Sequence, residues 1–161
     1  MVDPKRGRID GVETISLTLH TDDRGSLVEI ARRTGSSGEH SVVERFGQVY
    51  LVESPVRGTI RGFHKHDVLW DYFFVSSGSA KVLLVDDRET SSTHRTMQEV
   101  VLSRLTPRLL IVPPGVFHGW MSLEDRTQLI SIASETYDPE NPDEVRIPPD
   151  SFGDVWTVRG R

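Results

Sequence analysis

The chain is predicted to fold as an all-β domain, on three observations. From Ile15 to Ser134, short β-prone runs alternate with turn residues at a spacing of about 8 to 12 residues, which fits a sandwich or barrel. No 11-residue stretch keeps a helical period. Thirteen glycines and nine prolines supply the turns that such a fold needs. The expected strands begin with 15–19 and 27–30, where Ile, Leu and Val recur between polar residues. Thr34, Gly35, Ser36, Ser37 and Gly38 then read as a mobile loop. The middle of the chain gives 48–53, 59–66, 72–76 and 81–86, rich in Val, Ile, Tyr and Phe. Runs 99–103, 109–112, 117–122 and 128–135 follow. From Tyr137 onward, Pro139, Pro142, Pro148 and Pro149 make the tail too proline-rich for an inner strand, so it is expected to wrap the outside.

A length of 161 residues fits one domain with a sizeable core. Within it we expect N-terminal strands at 13–54, a barrel core at 55–136 and the proline-rich wrap at 137–161. The longest apolar runs, such as Val82 to Val85 and Leu109 to Val112, are four residues long, against roughly 20 for a membrane-spanning helix. No membrane partner is expected. The first residues lack the apolar core of a secretory signal, and the absence of cysteine removes disulfides and thiolate chemistry, so a cytoplasmic location is expected. A formal charge of −5, with acids and bases interspersed, gives none of the basic footprint of a nucleic-acid binder. Only Lys5, Lys65 and Lys81 of the 19 cationic residues are lysines, so fixed positive charge in a site is expected to be guanidinium, suited to a bidentate grip on phosphate or carboxylate.

The chemistry-bearing residues concentrate around Arg61, Gly62, Phe63, His64, Lys65 and His66. On a strand, His64 and His66 project from one face. Gly58, His64, His66, Asp71 and Gly78 form one spaced set, and Pro113, Gly115 and His118 a second. This spacing resembles the two motifs of the cupin superfamily, which implies a double-stranded β-helix, or cupin jelly roll. There, His64, His66, Asp71 and His118 would converge as three imidazoles and a carboxylate, able to hold a divalent transition metal.

A narrower resemblance runs over roughly residues 13 to 155. It is carried in order by Asp23, Arg24, Gly25 and Glu29; Phe46, Gln48, Arg61, Gly62 and His64; Val85, Asp86, Arg88, Ser91 and Thr93; Leu102 and Ser103; Ile111, Pro113, Gly115, His118 and Gly119; and Tyr137 with Pro139. The series resembles the dTDP-4-dehydrorhamnose 3,5-epimerase family. That resemblance implies a homodimer that acts, without metal or other cofactor, on a nucleotide-linked 4-keto-6-deoxy sugar, with dTDP as the expected nucleotide. The C4 ketone acidifies the protons on C3 and C5, so the reaction needs a base, an electrophile for the enolate oxygen and an acid on the opposite face. By resemblance, His64 is the base, His118 lines the sugar pocket, Arg61 and Arg24 hold the diphosphate, Glu29 lies near the nucleotide end, and Gln48 joins the substrate-binding set.

Two positions depart from the family. Asp71 stands where the enolate-supporting lysine belongs, and Ser131 where the acid tyrosine belongs; both are retained as substrate-pocket positions. The aspartate that orients the base has no obvious counterpart. Tyr137 is a candidate replacement for the acid. Arg61 to His66 also resemble the R-G-x-H-x-H motif of nucleotide-sugar 3,4-ketoisomerases, in which His64 and His66 could both shuttle protons. The alternatives are a metal-dependent cupin enzyme using His64, His66, Asp71 and His118, and a non-catalytic sugar-nucleotide-binding relative. Trp70, Phe73 and Phe74 are expected to be core, Asp86 and Arg88 to pair in the barrel wall, and His20, His40 and His94 to be solvated. The 15–19 strand is expected to offer an open edge to a second chain.

Overall fold

The computed structural model describes residues 4–33 and 42–158, and all regular structure among them is β. The strands are β1 (Lys5–Arg6), β2 (Glu13–Ser16), β3 (Leu19–Asp22), β4 (Gly25–Val28), β5 (Arg32–Arg33), β6 (Val42–Val43), β7 (Gln48–Ser54) and β8 (Ile60–Lys65). They continue with β9 (Asp71–Ser77), β10 (Ser79–Asp86), β11 (Thr96–Ser103), β12 (Arg108–Val112), β13 (Val116–Ser122), β14 (Thr127–Ala133) and β15 (Val145–Arg146). The loop expected at 34–38, and His40, lie outside the described residues.

Two sheets face each other, one in the order β1-β11-β10-β13-β8-β15 and the other β2-β12-β9-β14-β7. Between them lie Phe73, Val75, Val82, Leu84, Leu110, Trp120 and Leu129, all buried. The continuous apolar run in β10 arises because both faces of its sheet are covered. Val82 and Leu84 point inward, whereas Leu83 and Val85 pack with Phe63, Phe117 and Val155 beneath Phe152 and Trp156 of the tail. On the far side of the second sheet, Tyr72, Phe74, Leu109 and Ile111 pack against Leu17, Val28 and Ile30 from the N-terminal segment. Each fully buried leucine in these layers contributes about 1.5 to 3 kcal/mol relative to exposure.

Several boundaries differ from expectation. The strand expected at 15–19 is divided between β2 and β3, because Leu17 turns into the core and its N–H donates to the Pro107 carbonyl (2.9 Å). Residues 19–28 form a hairpin instead of a single strand at 27–30, since Gly25 takes φ +121° at the turn. Trp70 is 37% exposed, unlike its buried neighbours Phe73 and Phe74. His20 is exposed, but His94 is half-buried with an unpartnered Nδ1 rather than solvated.

Asp86 is fully buried and meets Arg88 as expected: Arg88 Nε donates at 2.8 Å, and the hydroxyls of Ser91 and Thr93 donate at 2.6 Å each. Burial alone would raise its pKa. The bonds from Arg88, Ser91 and Thr93 outweigh that and hold the carboxyl well below the usual carboxylate range. The tail wraps the barrel, but it also adds β15 to the edge of β8, pairing Arg146 with His64. That pairing brings the tail into the site.

Candidate active site

β8 and β13 are neighbours, and the register sets His64 opposite His118. Their approach depends on two glycines. Gly62 has φ +128°, and a Cβ there would come within 2.5 Å of the Gly119 Cα; one on Gly119 would come 2.8 Å from the Arg61 carbonyl oxygen. A register shift between His118 and Trp120 accommodates this close passage. Asp71 opens β9 in the facing sheet, and Ser131 lies on the adjoining β14. His64 and His118 therefore come from one sheet, His66 from just past the end of β8, and the carboxylate and hydroxyl from the other sheet.

The second partners of the imidazoles fix their tautomers. His118 Nδ1 lies 3.0 Å from the Val116 carbonyl, and His66 Nδ1 meets the Asp143 carbonyl; a carbonyl only accepts, so both Nδ1 atoms carry hydrogen. In neutral His118 the Nε2 is then bare and accepts the Nε2–H of His64 at 2.9 Å. His64 Nδ1 is left as the proton-accepting atom of its ring. Asp71, 1% exposed, accepts the Ser131 hydroxyl at 3.1 Å through Oδ1. Its Oδ2 lies 3.2 Å from His118 Nε2 and 3.3 Å from His66 Nε2, at ion-pair distance but without a directed hydrogen bond.

Charge follows from these contacts. Burial, reinforced by His118, pushes the His64 pKa down to about 3, so its ring is neutral at physiological pH. Burial opposes a charge on His66, but Asp71 and the Asp143 carbonyl outweigh it and raise its pKa. For Asp71 burial acts upward, and the imidazoles of His118 and His66 outweigh it, so the carboxyl stays ionised well below the usual range. Asp143 organises the approach to this cluster, because its carboxylate accepts the backbone N–H groups of Asp67, Val68 and Leu69 at 2.8 to 3.0 Å.

A hollow of about 430 Å³ opens beside the cluster, lined among others by His64, Arg61, Phe73, Trp120, Ser131 and Arg146. A larger one, about 850 Å³, lies elsewhere, against Arg33, Phe46, Val49 and Glu135, and its described lining includes none of His64, His66 and His118. The predicted residues divide accordingly. His64, Arg61 and Ser131 face the smaller hollow. His118, expected on the pocket wall, is 2% exposed and stands against the His64 ring, with the 1% exposed Asp71 beyond it. His66 packs beside them with an 11% exposed side chain. Arg24 is paired with Asp22 at the β3–β4 turn and Glu29 with Arg32, both apart from this hollow. Gln48 accepts the backbone N–H of Tyr137 (3.0 Å), and Tyr137 itself is 60% exposed and outside the lining. The hollow also holds Tyr50, Glu144 and Arg146, which sequence reasoning missed.

The four nitrogen and oxygen donors of His64, His66, Asp71 and His118 lie within 4.8 Å of one another. Three imidazoles and a carboxylate suit a divalent transition metal, and the carbonyl-held Nδ1–H groups are the outer partners that metal-binding histidines use. The undirected, buried Asp71 Oδ2 fits the same role.

A jelly roll with an imidazole cluster beside a hollow between its sheets defines a cupin-type domain. More particularly, the chain belongs to the dTDP-4-dehydrorhamnose 3,5-epimerase family, whose family model matches residues 6–159, and it is an enzyme of the nucleotide-sugar epimerase type. It is 36% identical over 156 residues to the spore coat polysaccharide biosynthesis protein SpsL of Bacillus subtilis, covering 95% of this chain and 99% of that one. A probable low-salt glycan biosynthesis epimerase of Haloferax volcanii is 31% identical over 144 residues, covering 88% and 89% of the two chains. Among solved structures, the Mycobacterium tuberculosis rmlC epimerase superposes with a TM-score of 0.77 at 27% identity, over 92% of this chain and 74% of that one. A dTDP sugar isomerase from Desulfovibrio desulfuricans shares the fold at a TM-score of 0.80 and 22% identity, covering 92% of each chain.

Proposed function

We propose that the chain epimerises a nucleotide-linked 4-keto-6-deoxy sugar, with dTDP as the nucleotide, by removing a proton from a carbon next to the C4 ketone. The observation that carries this reading is the series His64, His118, Asp71, at 2.9 and 3.2 Å, with only His64 on the wall of the hollow. His64 takes the sugar proton at Nδ1 while its Nε2–H passes to His118 Nε2, so the resulting positive charge ends beside the Asp71 carboxylate. Asp71 thus acts in the place of the aspartate that orients the base. The bond electrons move onto the C4 oxygen, where Arg146 supplies the positive charge that the family draws from lysine. Arg61, anchored to the Glu53 carbonyl at 3.2 Å, is left to grip the diphosphate. The enzyme is read as a cytoplasmic homodimer, with β2 at a free sheet edge. The test is incubation with a dTDP-4-keto-6-deoxyhexose in heavy water. Deuterium is expected at C3 or C5, and substrate that stays unlabelled refutes the reading.

A second reading is favoured by Asp71 Oδ2, a buried oxygen with no directed hydrogen bond. His64, His66, Asp71 and His118 would hold a divalent transition metal, which supplies Lewis-acid polarisation of a bound oxygen. His64 would then be a ligand and could not serve as the base. Metal analysis of protein purified without chelator separates the two: the epimerase reading expects less than about a tenth of an equivalent, the metal reading close to one.

A further inference from the structure

We propose that the Tyr50 hydroxyl is the general acid that delivers a proton to the sugar face opposite His64. The assignment rests on the epimerase reading and supplies the acid that Ser131 cannot. In β7, Tyr50 pairs directly with Ser131 of β14, so the two side chains share one face of the sheet. That face looks into the hollow: Tyr50, Val52, Leu129 and Ser131 line it from one sheet, and Arg61 and His64 from the other. A sugar ring seated between the sheets has the imidazole on one side and the phenol on the other. The aromatic hydroxyl has therefore moved across one strand pairing, while position 131 has shrunk to a serine whose hydroxyl donates to Asp71 and also meets the Tyr50 hydroxyl.

The surroundings keep this phenol protonated. Burial, reinforced by the negative charges of Asp71 and Glu144, raises its pKa above the ordinary tyrosine value. As the C4 carbonyl re-forms, the enolate carbon takes the Tyr50 proton, and a phenolate and a protonated histidine pair remain. Solvent returns both to their starting states, so protons and charge balance over the cycle. Tyr50 is 43% exposed, which makes its replacement by phenylalanine tolerable to the fold.

The experiment follows a dTDP-4-keto-6-deoxyhexose in heavy water with wild-type protein and Tyr50→Phe, reading deuterium incorporation and configuration separately by NMR. Inversion is expected to fall about 10²- to 10⁴-fold in the variant, the range for loss of a general acid. Exchange with retention, in which His64 returns solvent deuterium to the face it deprotonated, is expected to persist within about threefold, since that step needs no opposite acid. Inversion at the wild-type rate overturns the assignment. A parallel loss of exchange and inversion also overturns it, because it makes Tyr50 a positioning residue. Wild-type protein that exchanges no proton refutes the epimerase reading itself, and the assignment falls with it.

Discussion

Replacement of His64 by glutamine is expected to lower deuterium incorporation at C3 or C5 about 10²- to 10⁴-fold, the range for loss of a positioned base. Glutamine can still offer an amide N–H towards His118 Nε2, so the neighbouring network is disturbed little. It has no nitrogen lone pair able to accept a carbon-bound proton. The backbone at position 64 is held by its pairings with His118 and Arg146, and these bonds do not depend on the imidazole. The loss therefore falls on the chemical step, read as the exchange rate in single-turnover experiments with enzyme in excess over substrate. A variant that exchanges within about threefold of wild type would remove His64 from the base role. The His64 pKa of about 3 sharpens the case. A solitary imidazole that weak would be a poor base, and only transfer of charge to His118 beside Asp71 makes deprotonation productive.

Much of this site is legible in the sequence because its spacing is local. His64 lies on β8 and His66 one residue beyond its end, their rings 5.3 Å apart, and the Pro113 to His118 segment places a third imidazole on an adjoining strand. The sheet layers are legible for the same reason. What the sequence conceals is set by long-range register. Tyr50 matters because it pairs with Ser131, and Arg146 because it pairs with His64; neither partner is near in the chain. The prolines of the tail correctly exclude an inner strand but hide the two-residue β15 that brings in Arg146. Asp143, whose carbonyl fixes His66 and whose carboxylate collects three backbone N–H groups, carries no local signal. Asp71 is visible in the sequence, but its role depends on depth. On the wall of the hollow its charge would oppose an enolate, whereas behind His118 and His66 it supports protonated imidazole.

That depth yields the second large expectation: Asp71→Asn lowers proton exchange by about 10²-fold or more, although Asp71 touches no substrate. The substitution keeps shape, and the amide oxygen of the introduced side chain can still accept the Ser131 hydroxyl, which Asp71 Oδ1 binds at 3.1 Å. What it removes is the negative charge 3.2 Å from His118 Nε2, where the positive charge must come to rest. His66 loses the same support, so its pKa falls and its neutral ring is favoured, which leaves no uncompensated charge in the core. The fold therefore survives, and KM is expected to hold while kcat falls, the signature of an effect confined to the transition state. Metal content measured on the same samples decides what the charge is for. In the epimerase reading, wild type and variant are equally free of stoichiometric metal and differ only in rate. Wild-type protein carrying one equivalent that the variant loses would reassign Asp71 as a ligand, and the site as a metal centre. Exchange that proceeds undiminished in a metal-free Asp71→Asn protein would show that His64 works without the pair behind it, and the relay would have to be abandoned.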